Sequence, residues 1–130
     1  MTATKQQHIL LIEDDETLSR SLATLLTDAG FSVALAADGA EGIRQAGETH
    51  PDLIISDVML PKLDGIAAIK QIHTTPSLEE VPVMMLTNRD DIETIDASVA
   101  SGSYDFLVKH QWRLEDIVKR VKEKLDASKQ

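Results

Sequence analysis

Cysteine is absent from the 130-residue sequence, which removes disulfides and thiolate metal sites from the possible functions. No apolar run approaches the roughly 18–20 residues that a membrane span needs, so no membrane insertion is expected. The opening MTATKQQ has no apolar stretch of the secretory kind, and together these absences predict a cytoplasmic chain. Positive charge is also scarce: 13 Lys and Arg stand against 22 Asp and Glu, for a net charge of −9. Duplex nucleic acid is bound by cations that neutralise phosphates, so no nucleic-acid partner is expected, nor an anionic membrane surface. Protein partners fit better, with a cation wherever acids converge. Repeats, low-complexity tracts and long linkers are missing too. At 42% apolar and 27% charged residues, the expectation is one globular domain over 1–130 with its core at about 8–125. No second domain is expected within these residues, unless the chain is a piece of a longer protein.

What is present is a regular alternation. HILLI (8–12), FSVALA (31–36), LII (53–55, continuing to about Asp57), VPVMML (81–86) and YDFLV (104–108) read as strands. Between them lie helical patterns. Leu18, Leu22, Leu25, Leu26 and Ala29 share a face before the stop at Gly30, and Asp38 caps a glycine-containing helix over 39–47. Asp64 caps a helix with Ile66, Ile69 and Ile72 on its buried side. Ile92, Ile95 and Val99 mark a fourth helix, started by Asp90 and Asp91, and Leu114, Ile117, Val118, Val121 and Leu125 a fifth. Strands that are continuously apolar, rather than alternating, are buried on both faces. Five of them separated by five helices predict a doubly wound α/β domain with a parallel sheet.

Ligands of such sheets bind beyond the carboxyl ends of the strands, where the winding reverses. Here strand one ends in Glu13-Asp14-Asp15-Glu16, strand three in Asp57, strand four in Thr87 and strand five in Lys109. In the common order 2-1-3-4-5 these ends converge. Carboxylates that close together do not all stay ionised without a cation, and an all-oxygen site suits a hard divalent ion, Mg2+ or Mn2+. His8, His50, His73 and His110 show no zinc-ligand spacing. A metal beside one reachable carboxylate, facing a hydroxyl and an ammonium, suits phosphoryl transfer. Taken singly, each residue has an ordinary structural explanation: a strand-ending aspartate, an acidic helix start, a surface lysine. Their shared location is what points to chemistry.

LLIEDDE (10–16), DLIISDVMLPKLDG (52–65), VMMLTN (83–88) and GSYDFLVK (102–109) together resemble the receiver domain of bacterial two-component response regulators. The likeness extends over about residues 8–125, with spacings of 43, 30 and 22 residues between Asp14, Asp57, Thr87 and Lys109. It implies the flavodoxin-like receiver fold and a phosphoryl group taken from a histidine kinase or histidine phosphotransfer protein onto Asp57. Residue by residue, it implies that Asp14 binds Mg2+ directly, Glu13 through water, and Met59 through its backbone carbonyl. Thr87 and Lys109 would meet phosphoryl oxygens, and Phe106 would be an aromatic switch that moves as Thr87 shifts. An unknown downstream protein would dock on the face formed by the fourth helix, the fifth strand and the fifth helix. Met59, Asn88 and Arg89 occupy positions where receivers set the lifetime of the phosphoryl group.

The sequence departs from the family at His110, where proline is usual; a trans Lys109–His110 bond is expected, because a non-proline cis bond costs about 2.5–4 kcal/mol. Trp112 is read as packing, with a partner contact as the other use of an exposed indole. Two other functions compete with the receiver reading. One is an interaction module on the same fold that works without phosphorylation. The other is a metal-dependent phosphatase of the haloacid dehalogenase type, which needs a second acid two residues after its nucleophile. Met59 stands there instead, so turnover of external substrates is not expected.

Overall fold

A computed structural model describes residues 6–60, 63–87, 104–109 and 112–128. Five strands form one parallel sheet: β1 (His8–Ile12), β2 (Ser32–Ala36), β3 (Leu53–Asp57), β4 (Val83–Thr87) and β5 (Tyr104–Val108). Their order is β2-β1-β3-β4-β5, as the sequence predicts. The winding therefore reverses between β1 and β3. Four helices are described: α1 (Glu16–Asp28), α2 (Gly39–Thr49), α3 (Gly65–Ile72) and α4 (Leu114–Ser128). The further helix expected around Ile92, Ile95 and Val99 lies outside the described residues, as do Asn88, Arg89, Asp90, Asp91 and His110.

Side chains alternate across each strand, and the apolar runs thereby feed two cores. Ile9, Leu11, Leu53, Ile55, Met84, Leu86 and Leu107 pack against Leu22 and Leu26 of α1 and Ile117, Val121 and Leu125 of α4. Leu10, Ile12, Ile54, Val83 and Met85 turn to the other face and meet Ala46 of α2 and Ile69 and Ile72 of α3. β3 is buried along its whole length. A carboxylate at its end is consequently held on a rigid strand between two packed layers.

Local chemistry sets the helix boundaries. Asp15, Asp38 and Asp64 each cap a helix, accepting from the backbone N–H of Leu18, Glu41 and Ala67 at 3.2, 2.8 and 2.8 Å. Gly30 takes φ +101°, and Phe31 N–H then donates to the Leu26 carbonyl at 3.1 Å, which turns the chain into β2. β4 starts at Val83 rather than Val81, since Pro82 has no N–H for the ladder; its carbonyl still accepts from Ile54 N–H at 3.0 Å. α2 runs two residues further than the sequence suggests, to Thr49. Its glycines have different reasons. A Cβ on Gly42 would sit 2.4 Å from Ile12 Cδ1, so the glycine lets α2 approach β1, whereas a Cβ on Gly47 would meet nothing within 4 Å. Gly47→Ala should therefore raise stability by about 0.5–1 kcal/mol, the helical cost of glycine. Chemical denaturation checks this, and an unchanged midpoint would mean that Gly47 has a role its surroundings do not reveal.

Candidate phosphoryl-transfer site

The sheet register builds the site. Ile12 lies opposite Ser56, so Glu13 emerges beside Asp57; Asp57 lies opposite Leu86, and Thr87 opposite Val108, which places Lys109 just past the same edge. Glu13, Asp57 and Thr87 are buried, at 3, 4 and 0% exposure. Asp14, one residue beyond Glu13, is exposed. One carboxylate oxygen from each of Glu13, Asp14 and Asp57 falls within 4.8 Å of the others. Among the described residues, no other group of His, Asp or Glu is brought together in this way.

Each carboxylate is positioned by short local bonds. Asp57 Oδ1 accepts from Met59 N–H at 3.1 Å, and Asp57 Oδ2 accepts from Lys109 Nζ at 2.7 Å. Glu13 Oε2 accepts from Asp15 N–H at 3.0 Å, where the chain enters α1. Lys109 Nζ also stands 2.9 Å from Glu13 Oε1. That contact has the distance of an ion pair but not the alignment of a hydrogen bond, so Oε1 remains a buried oxygen without a hydrogen-bond donor. One ammonium thus serves two buried carboxylates.

The electrostatics follow from this shortage of positive charge. Burial is the main force on Glu13 and, with the nearby Asp57 charge, pushes its carboxyl up to about 7 against the opposing pull of Asp15 N–H and Lys109. Burial works to lower Lys109, but the hydrogen bond to Asp57 and the charges of Asp57 and Glu13 outweigh it and hold its ammonium above the ordinary lysine range.

Two features here are not legible in the sequence. Lys109 spans Glu13 as well as Asp57, where only a role toward phosphate was expected. Gly65 is packed onto the strand end: a Cβ there would lie 1.9 Å from the Asp57 carbonyl oxygen and 3.0 Å from Ser56 Oγ. The same carbonyl accepts from Ser56 Oγ at 3.0 Å, and Gly65 N–H donates to the Val58 carbonyl at 2.8 Å. A glycine directly after the capping Asp64 is the available sequence signal, and it reads equally well as a simple turn. Farther out, Met59 is 54% exposed and Trp112 37%. Phe106, half-buried, packs against the core shared with α2 and α3. Trp112 shares with it a groove of about 500 Å³ along the edge strand β5 and α4.

The same sheet architecture is found in known proteins. The family model for the response regulator receiver domain matches residues 9–122. Response regulator MprA of Mycobacterium leprae is 34% identical over 121 residues, covering 93% of this chain and 52% of that protein. The transcriptional regulatory protein AfsQ1 of Streptomyces coelicolor is 40% identical over 101 residues, or 78% of this chain and 44% of that one. The chain spans about half the length of the curated relatives it matches. Chemotaxis protein CheY4 of Vibrio cholerae superposes with a TM-score of 0.81 at 28% identity, covering 92% of this chain and 98% of CheY4. The receiver domain of sensor histidine kinase PA1611 from Pseudomonas aeruginosa, solved with a magnesium ion coordinated in its active site cleft, gives 0.81 at 27% identity over 94% and 99% of the two chains. With the family model matched over most of its length and the same five-stranded architecture beneath the match, the chain belongs to the response regulator receiver domain family of two-component signalling.

Proposed function

We propose that residues 8–125 form a single phosphoryl-accepting receiver in which Asp57 takes the group from a histidine kinase or a histidine phosphotransfer protein. The observation that carries this reading is the setting of Asp57: a buried carboxylate at a strand end, fixed by Met59 N–H and Lys109 Nζ, with two more carboxylates beside it. A carboxylate oxygen of Asp57 bonds to phosphorus as the donor's P–N bond breaks, and the donor imidazole leaves with that electron pair. Lys109 neutralises one phosphoryl oxygen, and the Thr87 hydroxyl donates to another. Thr87 and the half-buried Phe106 form the moving pair of the switch. The signal passes to a downstream protein on the side of β5 and α4, and Met59, Asn88 and Arg89 tune how long the group survives.

Mg2+, or Mn2+, fits the residues present. The donors are all hard oxygens, three of them lie within 4.8 Å, and Glu13 Oε1 is buried without a hydrogen-bond donor. Glu13, Asp14, Asp57 and the Met59 backbone carbonyl would hold it. Bound there, the ion supplies the positive charge that the phosphoryl oxygens require. The chemistry is confined to self-modification and its reversal, in a cytoplasmic setting. External phosphoesters are not turned over, because the second acid that such hydrolysis needs is replaced by Met59.

Incubation with Mg2+ and acetyl phosphate, with intact-mass detection, tests the proposal. A single Mg2+-dependent phosphoryl adduct on the wild type, lost in Asp57→Asn, is expected. An adduct of equal yield in the variant would overturn it, and no adduct from any donor would support an interaction module instead.

The raised Glu13 carboxyl gives a pH dependence. Between about 4.5, its value in the unfolded chain, and about 7 the folded protein retains a proton that the unfolded chain has released. Stability in the absence of metal therefore declines as pH rises through that window. Divalent metal competes with the same proton, so its affinity should fall about tenfold per pH unit below 7 and level off above it. Calorimetric Mg2+ titrations at several pH values check this; a flat profile would remove Glu13 from the metal site.

A further inference from the structure

We propose that Met59 is a peroxide-sensitive modification site, and that its oxidation shortens the life of a phosphoryl group on Asp57. The second half rests on the reading of Asp57 given above; the first does not.

The described methionines are unequally protected. Met84 and Met85 lie on β4 and are fully buried, one in each core, while Met59 is 54% exposed. A dissolved peroxide therefore reaches the Met59 thioether far more easily than theirs. Met59 is also tied to the acceptor, since its own N–H holds Asp57 Oδ1 at 3.1 Å. The thioether thus begins two residues from Asp57 and is fastened to it through the backbone.

In the reaction, the sulfur attacks one peroxide oxygen, the O–O bond breaks, and the sulfur is oxidised by two electrons to the sulfoxide. The peroxide is reduced, giving water from hydrogen peroxide or an alcohol from an alkyl peroxide. The product replaces a flexible apolar group by a polar one with a strong acceptor oxygen. An apolar, exposed thioether two residues from the acceptor offers water no hydrogen bond. A sulfoxide oxygen there holds water beside the phosphorus and brings the hydrolytic nucleophile closer. The change is reversible by methionine sulfoxide reduction, so the site would report oxidant exposure through signal duration.

The test treats the full chain with hydrogen peroxide, removes the excess with catalase, and then phosphorylates with acetyl phosphate and Mg2+. Peptide mass mapping should show Met59 oxidised well before Met84 and Met85; equal rates would overturn the site itself. Decay of the adduct is then compared between treated and untreated protein, separately for wild type and Met59→Leu. A several-fold shorter lifetime is expected in treated wild type, with no treatment effect in Met59→Leu and recovery after sulfoxide reductase. An unchanged or longer lifetime despite complete Met59 oxidation would overturn the proposed effect. Absence of any adduct in untreated wild type would instead count against Asp57 as the acceptor, while the oxidation map would still decide the site.

Discussion

Replacing Lys109 with methionine should destabilise the metal-free protein by about 3 kcal/mol, the lower end of what losing one partner of a buried ion pair costs. The lower end applies because the lysine side chain retains 15% exposure, whereas the carboxylates it serves retain 0% at Glu13 and 5% at Asp57. Methionine keeps the length of the apolar stem and removes only the charge, so the loss reports electrostatics rather than packing. Two buried carboxylates would then face each other with Asp15 and Met59 N–H groups as their described donors. Mg2+ should restore much of the lost stability, and should bind the variant more tightly than the wild type because no ammonium competes for Glu13 and Asp57. Denaturant unfolding in chelator and in Mg2+ measures both effects. A change below about 1 kcal/mol, the range of exposed pairs, would show that Lys109 does not compensate these acids.

The second large effect belongs to Gly65. In Gly65→Ala the new Cβ would meet the Asp57 carbonyl oxygen at 1.9 Å and its carbon at 2.9 Å, and neither is the movable end of a side chain. Either α3 retreats or the end of β3 shifts, at a cost of about 3 kcal/mol or more, the upper range for overpacking. Any shift of β3 moves Asp57 away from Met59 N–H and Lys109. Displacements near 1 Å at a reacting group cost about a hundredfold in rate, so phosphorylation should drop by that order even in molecules that remain folded. Gly47→Ala is the matched control, with the same chemical change, open space and the opposite sign. If Gly65→Ala phosphorylates at the wild-type rate, the close approach of α3 does not position the acceptor.

These two predictions show where the sequence was readable and where it was not. HILLI, LII and YDFLV announce buried parallel strands because burial on both faces removes alternation, and all three appear at the expected places. Asp38 and Asp64 declare helix starts through the local chemistry of capping. The convergence of Glu13, Asp14, Asp57, Thr87 and Lys109 at one sheet edge follows from the strand order, so it too could be anticipated. What a linear reading lacks is distance. Nothing in the spacing of Lys109 says that its ammonium lies near Glu13 as well as Asp57, a relation set by how the β1 and β5 ends sit about β3. Gly65 has the same difficulty, since a glycine after a capping aspartate reads as a turn until the carbonyl beneath it is located. α2 shows the converse: its glycines argue against a helix one by one, yet Gly42 is what allows that helix to seat against Ile12.

The most direct measurement of the central claim locates the phosphoryl group. After reaction with acetyl phosphate and Mg2+, borohydride reduction converts an aspartyl phosphate to homoserine, and peptide sequencing by mass spectrometry identifies the residue. Homoserine is expected at position 57 alone, present with Mg2+ and absent with chelator. Homoserine at Asp14 or at any other aspartate, with Asp57 unaltered, would contradict it.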